Sequence, residues 1–269
     1  MTFNVSPFDL KDTFECGQCF RWNENPDGSY TGVAFGKGLN IKKEGNNVVL
    51  SDSSPVWNDY FDIDTDYNNI MKELCVDDIM IEATNKSSGI RILKQDFFET
   101  VISFIISQNN NIPRIKSIIE NLCSKFGNKL EGGYFSFPEM NVLASLSPED
   151  LKFLKAGYRD SYIIDASQKI SAKSLDMDVI KNAPIEEARA EISKIKGVGP
   201  KVADCILLFG ASRTEVFPTD VWMKKVLTTF YGFETLTPKE INSFASQKFG
   251  NLAGYAQQYL FNLARVNKI

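Results

Sequence analysis

Lys201 and Asp220 are the two side chains of this chain best spaced to do chemistry together. Lys201 sits in the run Ile195-Lys196-Gly197-Val198-Gly199-Pro200-Lys201-Val202-Ala203-Asp204-Cys205, and Asp220 follows nineteen residues later in Phe217-Pro218-Thr219-Asp220-Val221. A neutral lysine amine is a nucleophile that can form Schiff bases, and a nearby carboxylate stabilises the positive charge such reactions develop. The residues before Lys201 offer something different. Gly197 and Gly199 allow a tight hairpin whose backbone can approach another surface closely, and Pro200 suits a first helical position. A helix N-terminus beside hairpin amides forms an anion site of the kind a DNA phosphate fills. A Gly-x-Gly turn alone is an ordinary link between core helices, and Asp220 alone is an ordinary helix cap before Val221-Trp222-Met223. Lysine and aspartate together shift the balance toward a reactive site, and a cap would also fix the carboxylate's orientation.

The elements that must hold these residues change character along the chain. Ser29-Tyr30-Thr31-Gly32-Val33-Ala34-Phe35 and Asn47-Val48-Val49-Leu50 are β-favouring runs. Pro26-Asp27-Gly28, Gly36-Lys37-Gly38 and Gly45-Asn46 read as hairpin turns around them, so a sheet is expected through about residue 55. From about residue 66 helical spacing takes over. Phe97, Val101, Phe104 and Ile105 share one face, as do Ile115, Ile118, Ile119 and Leu122. Ser147-Pro148-Glu149-Asp150, Pro184-Ile185-Glu186-Glu187 and Thr237-Pro238-Lys239-Glu240 read as helix starts. Strands first and helices afterwards predict an α+β chain. Its expected division is an antiparallel sheet domain at 1–90 and a helical domain at 91–269, with the helix–hairpin–helix at about 185–210.

Composition removes several mechanisms. The chain of 269 residues has no histidine, so Ser-His-Asp hydrolysis, His-ligated zinc and a His-x-Glu deaminase site are excluded. Its five cysteines (Cys16, Cys19, Cys75, Cys123 and Cys205) are scattered, which suits a reducing compartment. They lack the spacing of an iron–sulfur site, and no second pair completes Cys16-Gly17-Gln18-Cys19 as a metal site. No metal or other cofactor is expected. There is neither a run long enough to span a membrane nor a secretory signal, so an intracellular protein is expected. The net charge of −4 opposes indiscriminate nucleic-acid binding, yet residues 191–225 hold six Lys/Arg against four Asp/Glu. A local basic face of this kind suffices to grip a short duplex, with marked salt sensitivity.

Segment 195–226 resembles the helix–hairpin–helix and Gly/Pro…Asp signature of the DNA glycosylase superfamily. The lysine after the hairpin marks its bifunctional branch, which also cleaves the strand at the abasic site. With Val202-Ala203-Asp204-Cys205 following, the chain is similar to 8-oxoguanine DNA glycosylases from about Phe14 to Phe261. The resemblance implies attack by Lys201 on C1′ of a flipped nucleotide, expulsion of the base and a Schiff base, with Asp220 stabilising charge on the sugar. It implies that Cys205 and Phe261 sandwich the purine and that Gln257 reads its Watson–Crick edge. The Gly17 carbonyl, in Gly17-Gln18-Cys19-Phe20-Arg21-Trp22, would accept from N7–H, which guanine lacks.

In Ser107-Gln108-Asn109-Asn110-Asn111-Ile112-Pro113-Arg114, the resemblance assigns Asn109 to the space the base vacates. It assigns Arg114 and Arg159 to the opposite cytosine, Tyr158 to a wedge beside it, and Gly197, Val198 and Gly199 to the phosphate backbone. The partner implied is duplex DNA containing a damaged base, engaged by a monomer in the cytoplasm or nucleoid of a bacterium or the nucleus of a eukaryote. Two positions depart from the pattern: Trp222 stands where a phosphate-contacting histidine is common, and Ala264 where its aspartate partner is common. A glycosylase for another oxidised base and a noncatalytic helix–hairpin–helix module remain the alternatives.

Overall fold

The computed structural model describes residues 1–267. Five strands, β1 (Thr2–Asn4), β2 (Trp22–Glu24), β3 (Tyr30–Ala34), β4 (Lys37–Glu44) and β5 (Asn47–Leu50), form one antiparallel sheet in the order β1-β5-β4-β3-β2. β3 and β4 pair through Ala34 and Lys37. Phe35 and Gly36 between them both have positive φ, the geometry of a two-residue hairpin turn. The turn therefore falls one residue before the Gly36-Lys37-Gly38 reading, and Lys37 and Gly38 already belong to β4. Leu39 and Ile41 alternate inward along that otherwise polar strand.

Helices follow. They are α1 (Leu10–Glu15), α2 (Val56–Tyr60), α3 (Tyr67–Leu74), α4 (Asp78–Lys86), α5 (Phe97–Ser107), α6 (Ile112–Phe126), α7 (Met140–Ala144), α8 (Arg159–Ser171) and α9 (Met177–Asn182). The last five are α10 (Ile185–Ile192), α11 (Pro200–Gly210), α12 (Val221–Tyr231), α13 (Pro238–Phe249) and α14 (Ala253–Val266). The α+β class, with a sheet first and helices after it, is as the sequence predicts. Thr237 and Glu240 cap α13 reciprocally. Ser147 and Asp150 do the same, but the segment they open, Pro148–Leu154, winds as a 3₁₀ helix. No helix among the described residues is long and apolar enough to cross a membrane.

Two apolar cores result. The smaller lies on the sheet, where Trp22 stacks on Phe14 at 4.3 Å and donates from Nε1 to the Tyr60 hydroxyl at 2.7 Å. The larger gathers α3 to α14 and takes in Cys16 and Phe20 from the N-terminal part. Arg91 fastens the N-terminal segments to the helices. It is buried, donates to the carbonyls of Phe61 (2.9 Å) and Pro7 (3.2 Å), and stacks on Tyr67 at 4.1 Å.

α5 and α11 run through the middle of the larger core, with the rings of Phe104 and Phe209 stacked at 5.4 Å. Gly210 permits their close approach, since a Cβ there would lie 3.1 Å from that of Thr100. α10 and α11 form the helix–hairpin–helix. A buried ion pair of 2.6 Å between Arg189 and Asp204 ties them together, which explains the acid that follows Lys201 in the sequence.

Candidate active site

Gly17, Lys201, Cys205, Asp220, Gln257 and Phe261 line one narrow cleft of about 50 Å³, although they span almost the whole chain. Lys201 opens α11 and Cys205 lies one turn further on the same face. Asp220 caps α12, accepting from the Met223 backbone N–H at 2.8 Å. Gln257 and Phe261 are successive turns of α14. Three helices and one N-terminal loop thus converge on one point. A larger cleft of about 970 Å³ lies between α10 and α13, but it holds neither Lys201 nor Asp220.

The loop carrying Gly17 is bolted down by its neighbour. Gln18 is wholly buried; its Nε2 donates to the carbonyls of Thr13 and Arg91, both at 2.8 Å, and its Oε1 accepts from Leu93 N–H at 2.9 Å. Gly17 itself has φ +85°, and a Cβ on it would stand 3.9 Å from the Phe261 ring. Its lack of a side chain therefore serves both the backbone conformation and access to the cleft.

Lys201 is half-buried, with Nζ 5.5 Å from the centroid of the Phe104 ring. Burial pushes the Cys205 thiol up to about 11, although Lys201 pulls it down, and burial pushes Cys16 up to about 12. Neither thiol supplies a thiolate at neutral pH, which leaves the Lys201 amine as the candidate nucleophile among the groups lining the cleft. Asp220 is the carboxylate that lines the same cleft. Phe104, Phe209, Pro218, Cys16 and Gln258 also line the cleft and escaped the sequence reading as site residues. Phe104 lies in the apolar stripe of α5, where spacing alone marks only a core position.

The Asn-rich turn after α5 stands apart from the cleft lining. Asn109 is exposed and holds φ +46°. Arg159 is only 6% exposed; its Nε donates to the Gln108 carbonyl at 3.0 Å, its Nη1 to the Ala156 carbonyl at 2.9 Å, and its Nη2 to Gln108 and Asn109 carbonyls. Arg114 is exposed and donates from Nη2 to the Lys155 carbonyl at 3.1 Å. Tyr158 is 51% exposed, with the Arg159 guanidinium 4.5 Å from its ring centroid.

The hairpin is more specific than its two glycines suggest. Gly197 has φ +79° and packs so tightly that a Cβ would fall 2.2 Å from the Tyr162 ring, whereas Gly199 is extended and precedes α11 as its N-cap. Val198 is buried and its N–H is spent on the Ile195 carbonyl at 3.1 Å, so it anchors the turn. Trp222 is 52% exposed on the first turn of α12, with Lys225 Nζ 5.7 Å from its ring, and Ala264 is buried.

A helix–hairpin–helix thus sets a lysine and a capping aspartate beside a cleft, and comparison with known proteins places the chain in a DNA-repair class. Residues 1–101 match the family described as 8-oxoguanine DNA glycosylase, N-terminal domain, and residues 102–250 match HhH-GPD superfamily base excision DNA repair protein. The chain belongs to that superfamily.

Among curated relatives, a probable N-glycosylase/DNA lyase of Methanothermobacter thermautotrophicus is 34% identical over 67% of this chain and 65% of its own length. The N-glycosylase/DNA lyase of Saccharomyces cerevisiae is 33% identical over 76% of this chain and 64% of its own. The chain thus spans just under two thirds of these two relatives. A solved structure of Clostridium acetobutylicum 8-oxoguanine glycosylase/lyase, in complex with double-stranded DNA containing cytosine opposite 8-oxoguanine, is 42% identical. It superimposes with a TM-score of 0.93 over 97% of this chain and 93% of that one.

Proposed function

We propose that this chain excises 8-oxoguanine from duplex DNA and then nicks the strand at the resulting abasic site. The observation that carries the reading is the convergence of Lys201, Asp220, Gly17, Cys205, Gln257 and Phe261 on one cleft. Lys201 Nζ attacks C1′, and the base leaves with the glycosidic electron pair and a proton. Asp220 stabilises the positive charge that develops on the sugar. Ring opening gives a Schiff base, the 3′ phosphate departs by β-elimination, and water releases the lysine. Cys205 and Phe261 hold the two faces of the base, Gln257 reads its Watson–Crick edge, and the Gly17 carbonyl accepts from N7–H.

On the duplex, the glycine amides of the hairpin meet phosphates, Asn109 fills the vacated space and Tyr158 wedges beside it. Arg114 and Arg159 accompany the opposite cytosine. Because Arg159 already gives most of its N–H groups to carbonyls of the turn, it also fixes the loop, and Arg114 is the freer reader. An arginine fork suits cytosine's acceptors and opposes the N6 amine of adenine.

Single-turnover assays on duplexes with 8-oxoguanine opposite cytosine or adenine test this. Free base and a β-elimination product are expected, with cytosine preferred by roughly tenfold or more, a good bidentate contact being worth about 1–3 kcal/mol. Absence of base release overturns the activity. Equal rates overturn the pairing preference and leave the arginines as backbone contacts.

A further inference from the structure

Gln258 lines the cleft beside Gln257, and no role proposed above employs it. It is 4% exposed, and its Nε2 donates to the Gln257 Oε1 at 2.7 Å. Its own Oε1 is buried without a hydrogen-bond partner among the described residues. An amide oxygen left unpaired in a buried site is costly, so a ligand donor that reaches it gains more than the same contact in water. Gln257's N–H₂ group likewise has no protein partner among the described residues.

The hydrogen bond between the two glutamines leaves one donor group and two acceptor sites unspent at the cleft. Gln257 offers Nε2 as donor and the second lone pair of Oε1 as acceptor, and the free Oε1 of Gln258 follows as a further acceptor. Donor, acceptor, acceptor is the complement of a guanine-type edge, whose O6 accepts while N1–H and the exocyclic N2 amine donate. Adenine-type edges offer a donor amine at C6 and an acceptor at N1, and mismatch both positions of Gln257.

We propose that Gln258 is a second base-reading residue, accepting from the exocyclic amine of a guanine-type lesion through Oε1 while its Nε2 holds the Gln257 amide in the reading orientation. The inference rests on Gln257 facing the Watson–Crick edge of the flipped base. It extends that reading to the 2-amino group.

The test pairs a residue deletion with a base deletion. Single-turnover excision is measured on duplexes containing 8-oxoguanine or 8-oxohypoxanthine, which lacks only the 2-amino group, with parental protein and Gln258→Leu. Cleavage of a preformed abasic duplex, which needs no base, reports on the fold and on Lys201. The parental protein is expected to favour 8-oxoguanine by about tenfold, in keeping with one buried hydrogen bond. Gln258→Leu is expected to erase that preference while abasic-site cleavage holds. Gln258→Met, which keeps the length of the side chain, gives the same loss of preference should the leucine variant fail at abasic sites. A preference that persists in a variant active at abasic sites overturns the inference, as does a parental protein indifferent to the amine. A parental protein that excises neither base overturns the functional reading instead.

Discussion

Asp220 caps α12 and is proposed to stabilise charge on the sugar, and substitution can separate the two duties. Asparagine caps a helix about as well as aspartate does, so Asp220→Asn should keep the bond to Met223 and leave thermal stability nearly unchanged. It removes the charge, and excision is expected to fall by about 100-fold or more, the scale of losing one electrostatic stabiliser. Unchanged excision in a stably folded variant would reduce Asp220 to a cap. Gly17→Ala asks a related question about lesion recognition. At φ +85° an alanine carries about 1–2 kcal/mol of backbone strain, while its methyl meets Phe261 only in ordinary van der Waals contact. Slower 8-oxoguanine excision with intact abasic-site cleavage is expected. Parental excision rates would mean that the glycine serves only the turn. Lys201, Asp220 and Gly17 were legible because each sits in a motif with an unusual residue type or spacing. Phe104 and Gln258 were not: one lies on an apolar helical stripe, the other beside a better-marked glutamine, and only the packed cleft separates such residues from ordinary core.

At the level of elements, the hairpin depends on one glycine more than on two. Gly197 needs both positive φ and the absence of a side chain against Tyr162, whereas Gly199 meets neither constraint. Gly197→Ala is therefore expected to cost about 2 kcal/mol or more in denaturant unfolding, through strain and overpacking, and to weaken duplex binding with it. Gly199→Ala should cost less than half of that, and equal losses would contradict the packing account. The capping boxes and the apolar stripes of α5 and α6 were readable because local spacing dictates them. β4 was hidden, since only Leu39 and Ile41 face inward along a strand that otherwise reads as polar. The 3₁₀ winding of Pro148–Leu154 was hidden too, because its capping residues are those of an α-helix.

For the whole molecule, one largely buried carboxyl is expected to set a pH dependence. Glu99, on the first turn of α5, lies 3.9 Å from Arg21, yet burial pushes its carboxyl up from 4.5 to about 7. The native state therefore binds more protons than the unfolded chain between those values, and stability falls as pH rises through that window. The loss is on the order of 3 kcal/mol, and Glu99→Gln is expected to flatten that part of the curve of thermal stability against pH. Parallel curves for the two proteins would contradict it. What the entire fold accomplishes is to bring an N-terminal loop and three helices to one lysine. Borohydride reduction during reaction with an 8-oxoguanine:cytosine duplex, followed by mapping of the cross-linked residue, tests that most directly. A covalent adduct on Lys201 is expected, absent in Lys201→Gln although that variant still binds the lesion; an adduct of undiminished yield in Lys201→Gln would contradict the account.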